Sequence, residues 1–118
     1  MQTVIVYGIP NCDTIKKTIL WLKENKISFQ FHDYKKEGIT KSKLDDWCTK
    51  AGWENIFNKK STSWRELPNA EQDKVISKQA AIKVMLANNS IIKRPVVELN
   101  NNKILVGFNS EQYEKEII

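Results

Sequence analysis

Cys12 is the residue best placed to do chemistry in this chain. An apolar, β-branched run from Thr3 to Tyr7 leads through the turn Gly8-Ile9-Pro10-Asn11 and delivers the thiol to the start of an amphipathic segment. Unpaired backbone N–H groups and the positive end of the macrodipole at a helix N-terminus favour thiolate over thiol. The thiolate is the nucleophile, so the position implies redox or nucleophilic chemistry. A cysteine between a strand and a helix can also be a plain core residue. Asn11 and Asp13 favour the reactive reading because they make burial awkward, and Asn11 is a candidate helix cap. Asp13 opposes the thiolate by like charge, whereas Lys16 and Lys17 offset it. Ile15 stands where a Cys-x-x-Cys motif carries its second thiol, so a resolving thiol must come from elsewhere. The other cysteine, Cys48, falls on an apolar helical stripe and reads as core.

A second group of residues is Lys93-Arg94-Pro95, just before a strand. Taken alone it is a loop, but opposite Cys12 the guanidinium of Arg94 would be a fixed cation for an anionic substrate or for the thiolate. Ser61, Thr62, Ser63 and Arg65 read as a solvated polar loop. His32, the sole histidine, has no visible partner in the sequence and receives no catalytic role. No Cys/His spacing matches a metal site, so none is expected.

These groups must be held by a small scaffold. The chain has 118 residues, enough for one domain with a core of its own. Its formal charge of +5 is spread over lysines no denser than pairs with acidic residues between them, so nucleic acid is not an expected partner. No long apolar run suggests a membrane span and the opening residues lack a basic leader, so a cytoplasmic protein with reduced thiols is expected.

The periodicity predicts a strand from Thr3 to Tyr7, a helix carrying Ile15, Ile19 and Leu22, and an alternating strand from Ser28 to Tyr34. Together they form a βαβ unit with parallel strands. The middle is helical. Thr40 is its N-cap, Leu44, Trp47, Cys48 and Ala51 share a stripe, and Gly52 ends it. A short helical turn follows around Trp53 to Asn58, and a longer helix is predicted from about Glu71 to Leu86, with Asn88-Asn89 as its stop. Pro95–Leu99 and Lys103–Gly107 flank Asn100-Asn101-Asn102 as a hairpin. A last helix begins near Ser110 with Tyr113, Ile117 and Ile118 as its apolar contacts.

Several segments together carry a family resemblance: Tyr7-Gly-Ile-Pro-Asn-Cys-Asp-Thr-Ile-Lys-Lys17, Phe31-His-Asp-Tyr-Lys35, Trp47-Cys48, Gly52-Trp53, Ile56-Phe-Asn-Lys59, Ser63-Trp-Arg-Glu-Leu67 and Ile92-Lys-Arg-Pro-Val96. The chain resembles the ArsC-like branch of the thioredoxin superfamily, which includes arsenate reductases, the Spx regulators and the YffB group. Cys-Asp-Thr, His-Asp-Tyr-Lys and Lys-Arg-Pro-Val look most like the YffB group, which is proposed to contain glutathione-dependent thiol reductases.

The resemblance implies an α/β fold, a thioredoxin-like βαβ-ββα mixed sheet with an all-helical insertion at about 40–90, with Pro95 in the cis form and Cys12 facing Arg94. It further implies a monothiol reductase with Cys12 and Arg94 as catalytic residues and Asn11, Lys16, Lys17 and Pro95 binding substrate. No cofactor would be bound permanently, and glutathione would be the co-substrate, acting on a disulfide or an oxyanion substrate, with glutaredoxin as a possible partner under arsenate reduction. Arsenate reductases present two further arginines, at positions that fall here on Asn58 and Gly107, which points the reading away from arsenate. A Spx-like role would make RNA polymerase the partner, but Ile15 removes the Cys-x-x-Cys switch of those regulators.

Overall fold

A strand buried along most of its length needs neighbours on both edges, and Val4–Gly8 has them. The computed structural model describes residues 4–10, 12–100 and 102–117. Strand β1 (Val4–Gly8) leads into helix α1 (Asp13–Glu24) and strand β2 (Phe29–Asp33). β2 runs parallel to β1 with Val6 opposite Phe31, as a strand-helix-strand connection requires. Strands β3 (Val96–Glu98) and β4 (Ile104–Val106) form an antiparallel hairpin, Val97 opposite Leu105, before helix α7 (Ser110–Ile117). β3 also pairs antiparallel with β1, Val6 opposite Val97, so the sheet order is β2-β1-β3-β4. The mixed α/β sheet expected from the sequence is therefore present. Thr3, Asn101 and Ile118, which the sequence reading assigned to the first strand, the hairpin turn and the last helix, lie outside the described residues.

The chain divides into two compact units, Met1–Gly38 with Arg94–Ile118, and Ile39–Lys93. In the first, the cluster of Val4, Val6, Ile15, Leu22, Val97, Leu105, Tyr113 and Ile117 joins the sheet to α1 and α7. Thr18, the buried polar residue of α1, avoids an unsatisfied hydroxyl by donating to the Thr14 carbonyl at 2.8 Å. Gly8 is tight for a steric reason: a Cβ there would collide with the Ile15 side chain, so glycine lets α1 lie close to the end of β1.

The second unit is the insertion expected at about 40–90. It holds α2 (Lys41–Ala51), α3 (Trp53–Ile56), α4 (Thr62–Arg65), α5 (Asn69–Gln72), α6 (Lys78–Ala87) and a 3-10 turn, Asn89–Ile91. Thr40 caps α2 by accepting from the Lys43 N–H at 3.1 Å, and Gly52 ends it with φ of 88°. Two expectations are corrected here. The Ser61–Ser63 loop is the start of α4, because the Ser61 hydroxyl accepts from the Trp64 N–H at 3.1 Å. The single helix expected from about 71 to 86 is two, α5 and α6, because Ser77 adopts an extended backbone and caps α6 through the Ala80 N–H. Serine competes for backbone hydrogen bonds in a way that apolar periodicity does not register.

Candidate functional site

Cys12 itself is the N-cap of α1. Its backbone is extended (φ −116°, ψ 129°), and its carbonyl accepts the first helical hydrogen bond, from Lys16 N at 3.0 Å. The Cys12 side chain makes no capping hydrogen bond, and Asn11, the expected cap, lies outside the described residues. The sulfur is half-buried against the core cluster while Asp13 beside it is exposed. The N-cap position puts Cys12 at the helix end where the first-turn N–H groups have no acceptor within the helix, though its side chain makes no capping hydrogen bond to them.

Arg94 arrives from the other end of the sequence. The Arg94–Pro95 peptide is cis, as the resemblance implied. Pro95 is buried, and its carbonyl accepts from the Gly107 N–H at 2.8 Å, while the Gly107 carbonyl accepts from the Tyr113 hydroxyl at 2.7 Å. The loop bearing Arg94 is thus tied through the β4 end to α7.

Tyr34 joins the two halves of the site. Its N–H donates to the Gly8 carbonyl at 3.3 Å, which ties the end of β2 to the end of β1, and its side chain is fully buried. Burial pushes the phenol far above the usual tyrosine range. The Arg94 guanidinium, which donates a hydrogen bond to the phenol oxygen, works against that shift, and the nearby Cys12 and Asp33 add to it. Cys12, Tyr34 and Arg94 therefore share one neighbourhood. Sequence reasoning missed Tyr34 as a site residue. The available signal was topological: Gly8 and Asp33 end adjacent parallel strands, and the carboxyl ends of such strands are where α/β proteins build sites.

The remaining candidates are less involved. Lys16 and Lys17 are exposed in the first turns of α1, and among the described residues neither joins an ion pair. His32 is not without partners, contrary to expectation: Nε2 lies 2.9 Å from the Gly38 carbonyl, Nδ1 lies 3.7 Å from Glu37, and the ring packs on Tyr7 with centroids 4.8 Å apart. Asn58 spends its side chain on a local turn, Oδ1 accepting from Lys60 N at 3.1 Å. Gly107 has φ of 79°, a conformation that disfavours arginine. Among the described residues no cluster of three or more His, Cys, Asp or Glu could hold a metal, and no helix is long and apolar enough to cross a membrane.

Cys48 is 3% exposed on α2. Burial pushes its thiol up from 9.0 to about 11; Lys78 opposes the shift and Asp45 adds to it. The native state then keeps a proton that the unfolded chain releases, so Cys48 leaves stability unchanged below about pH 9 and lowers it as pH rises toward about 11. Urea melts at about pH 8 and pH 11 should show a smaller alkaline loss in Cys48→Ala than in the parent, by roughly 1–2 kcal/mol. An equal loss in both would show that Cys48 does not contribute.

Known proteins agree with this architecture. The ArsC family model matches residues 7–116. An uncharacterised protein of Haemophilus influenzae is 39% identical over 111 residues, which cover 94% of this chain and 96% of that protein. A solved YffB protein superposes with a TM-score of 0.92 at 40% identity, covering 98% of this chain and 99% of its own. An arsenate reductase (ArsC) related protein from Brucella melitensis gives a TM-score of 0.76 at 42% identity, with 97% and 93% covered. The Spx regulator of Lactiplantibacillus plantarum is 25% identical over 114 residues, covering 95% of this chain and 84% of the regulator. The chain belongs to the ArsC family.

Proposed function

We propose that this protein is a monothiol reductase that uses glutathione as its co-substrate. The observation that carries the reading is the convergence of Cys12, at the start of α1, with Arg94 beside the cis Pro95, through the buried Tyr34. The Cys12 thiolate attacks the glutathione sulfur of a mixed disulfide; a new S–S bond joins Cys12 to glutathione and the substrate leaves as a thiolate that takes up a proton. A second glutathione thiolate then attacks the glutathione sulfur of the adduct and returns Cys12 as thiolate with oxidised glutathione as product. Each turnover consumes one free glutathione, which leaves joined to the glutathione that the mixed disulfide carried, and no second protein thiol is required.

Arg94 stabilises the thiolate and, with Lys16 and Lys17, binds the carboxylates of glutathione through charge-assisted hydrogen bonds. Asn11 and the backbone ahead of Pro95 complete the binding surface for the peptide. A reducing cytoplasm would supply the co-substrate, and no permanently bound cofactor enters the cycle.

Intact-mass measurement after incubation with oxidised glutathione tests the reading. One glutathione should attach to Cys12, none to Cys48, and Cys12→Ser should take up none. Absence of the adduct on Cys12 would sink the proposal. The name of the Brucella relative favours a second reading, arsenate reduction by the same thiol with glutathione and glutaredoxin as reductants. The uncharged Asn58 and the left-handed Gly107 weigh against it. Arsenate-dependent turnover in a glutathione-coupled assay would promote that reading. A Spx-like regulator docking on RNA polymerase has weaker support, since Ile15 leaves no local disulfide switch.

A further inference from the structure

We propose that the helical insertion carries a separate binding site, an apolar pocket beside α6 that takes a small amphipathic anion, a carboxylate on a hydrocarbon body. The pocket has a volume of about 480 Å³, within the range of small-molecule sites. Its apolar lining comes from Leu67, Val75, Ala80, Val84 and Ile91.

α6 explains why the recess exists. Ala81, Ile82 and Met85 are buried and form the stripe that the helix needs for its core. Ala80, Val84 and Ala87 recur at i, i+4 and i+7 on a second stripe, and these line the pocket instead. Val75, in the break between α5 and α6, lines the recess together with Glu71 of α5 and the second stripe of α6. Ile76 in the same break is 82% exposed, which adds apolar surface beside it.

Charge selects the ligand class. Glu71 and Lys74 both line the pocket and neutralise one another at 3.3 Å. Lys83 lines it too, and among the described residues it belongs to no ion pair. Asn88 already spends its side-chain oxygen on the Ser90 N–H at 3.1 Å. An apolar body with a single anionic head meets both the lining and the uncompensated lysine.

Titration of decanoate into the full-length, 15N-labelled chain tests this, with decylammonium and decanol as charge controls. Saturable shifts are expected at the amides of Val75, Ala80, Val84 and Ile91, with a dissociation constant of about 1 mM or tighter. Decylammonium should bind at least about fivefold more weakly, and the surface variant Lys83→Glu should weaken decanoate about five- to tenfold. Ala80→Trp, which fills the recess, should abolish the shifts; if it does not fold, Lys83→Glu decides. Equal binding of the three probes, shifts centred on Cys12, or no saturable shift would overturn the proposal. Shifts at the same amides on raising protein concentration alone would overturn it as well, because the pocket would then be a contact between copies. None of these outcomes depends on thiol activity.

Discussion

Arg94→Ala is expected to lower the rate of glutathionyl transfer by about 10²–10³-fold, the usual loss when one group stabilising an anion at a reacting centre is removed. The guanidinium is oriented by its hydrogen bond to the buried Tyr34 phenol, which Cys12 also influences. Its loss removes positive charge where the attacking and leaving thiolates must both be stabilised. Arg94→Lys keeps the charge but not the planar fork, so it should recover only part of the rate. Tyr34→Phe keeps the buried ring and deletes the oxygen that receives the guanidinium, so a loss of about 3- to 10-fold is expected, carried by kcat more than by KM. The measurement is steady-state kinetics with glutathione and a mixed-disulfide substrate, with thermal melts to establish that each variant folds. Arg94→Ala within about twofold of the parent would remove Arg94 from the mechanism.

Tyr113→Ala should destabilise the protein by about 3–5 kcal/mol, the range for deleting a buried aromatic side chain. Tyr113 is fully buried in the cluster between the sheet, α1 and α7. Its ring meets Trp21 and Phe108 edge-on, with centroids 5.4 Å and 5.2 Å away. Tyr113→Phe keeps that packing and removes the hydroxyl that donates to Gly107, at a cost of about 1 kcal/mol. Urea denaturation at neutral pH separates the two, because the alanine change should move the midpoint several times further. Since Gly107 in turn holds the Pro95 carbonyl, the phenylalanine variant should also show faster amide exchange at Gly107. Equal midpoints for Tyr113→Ala and the parent would contradict the packing role.

Local features were legible in the sequence, and non-local ones were not. The apolar run ending at Tyr7, the spacing of Ile15, Ile19 and Leu22, and the asparagines before Lys103 each fix an element through neighbours a few residues away. Thr40 and Gly52 were readable for the same reason. Ser77 and Ser61 were missed because a cap is one residue against a longer apolar pattern. The proximity of Cys12 to Arg94 came from resemblance alone, since nothing within either segment reports on the other. Tyr34 needed the register of β2 against β1 before it could be seen as a member of the site, and His32 needed the turn at Gly38. Asn58 and Gly107 were legible as uncharged residues, while the turn and the left-handed backbone that occupy them became visible only in three dimensions.

The β1–β3 ladder has a consequence for biosynthesis. Val6 pairs with Val97, and the whole of the second unit lies between them in the chain. At ribosomal rates the partner strand emerges roughly 5–20 s after β1. Through that interval the nascent βαβ half presents β1 as an open edge, the situation in which strands pair with the wrong neighbour. The insertion is complete before β3 leaves the ribosome, so its helices have time to form first by local contacts. Synthesis order thus makes the intervening unit a timer on when the sheet that carries Cys12 acquires its third strand.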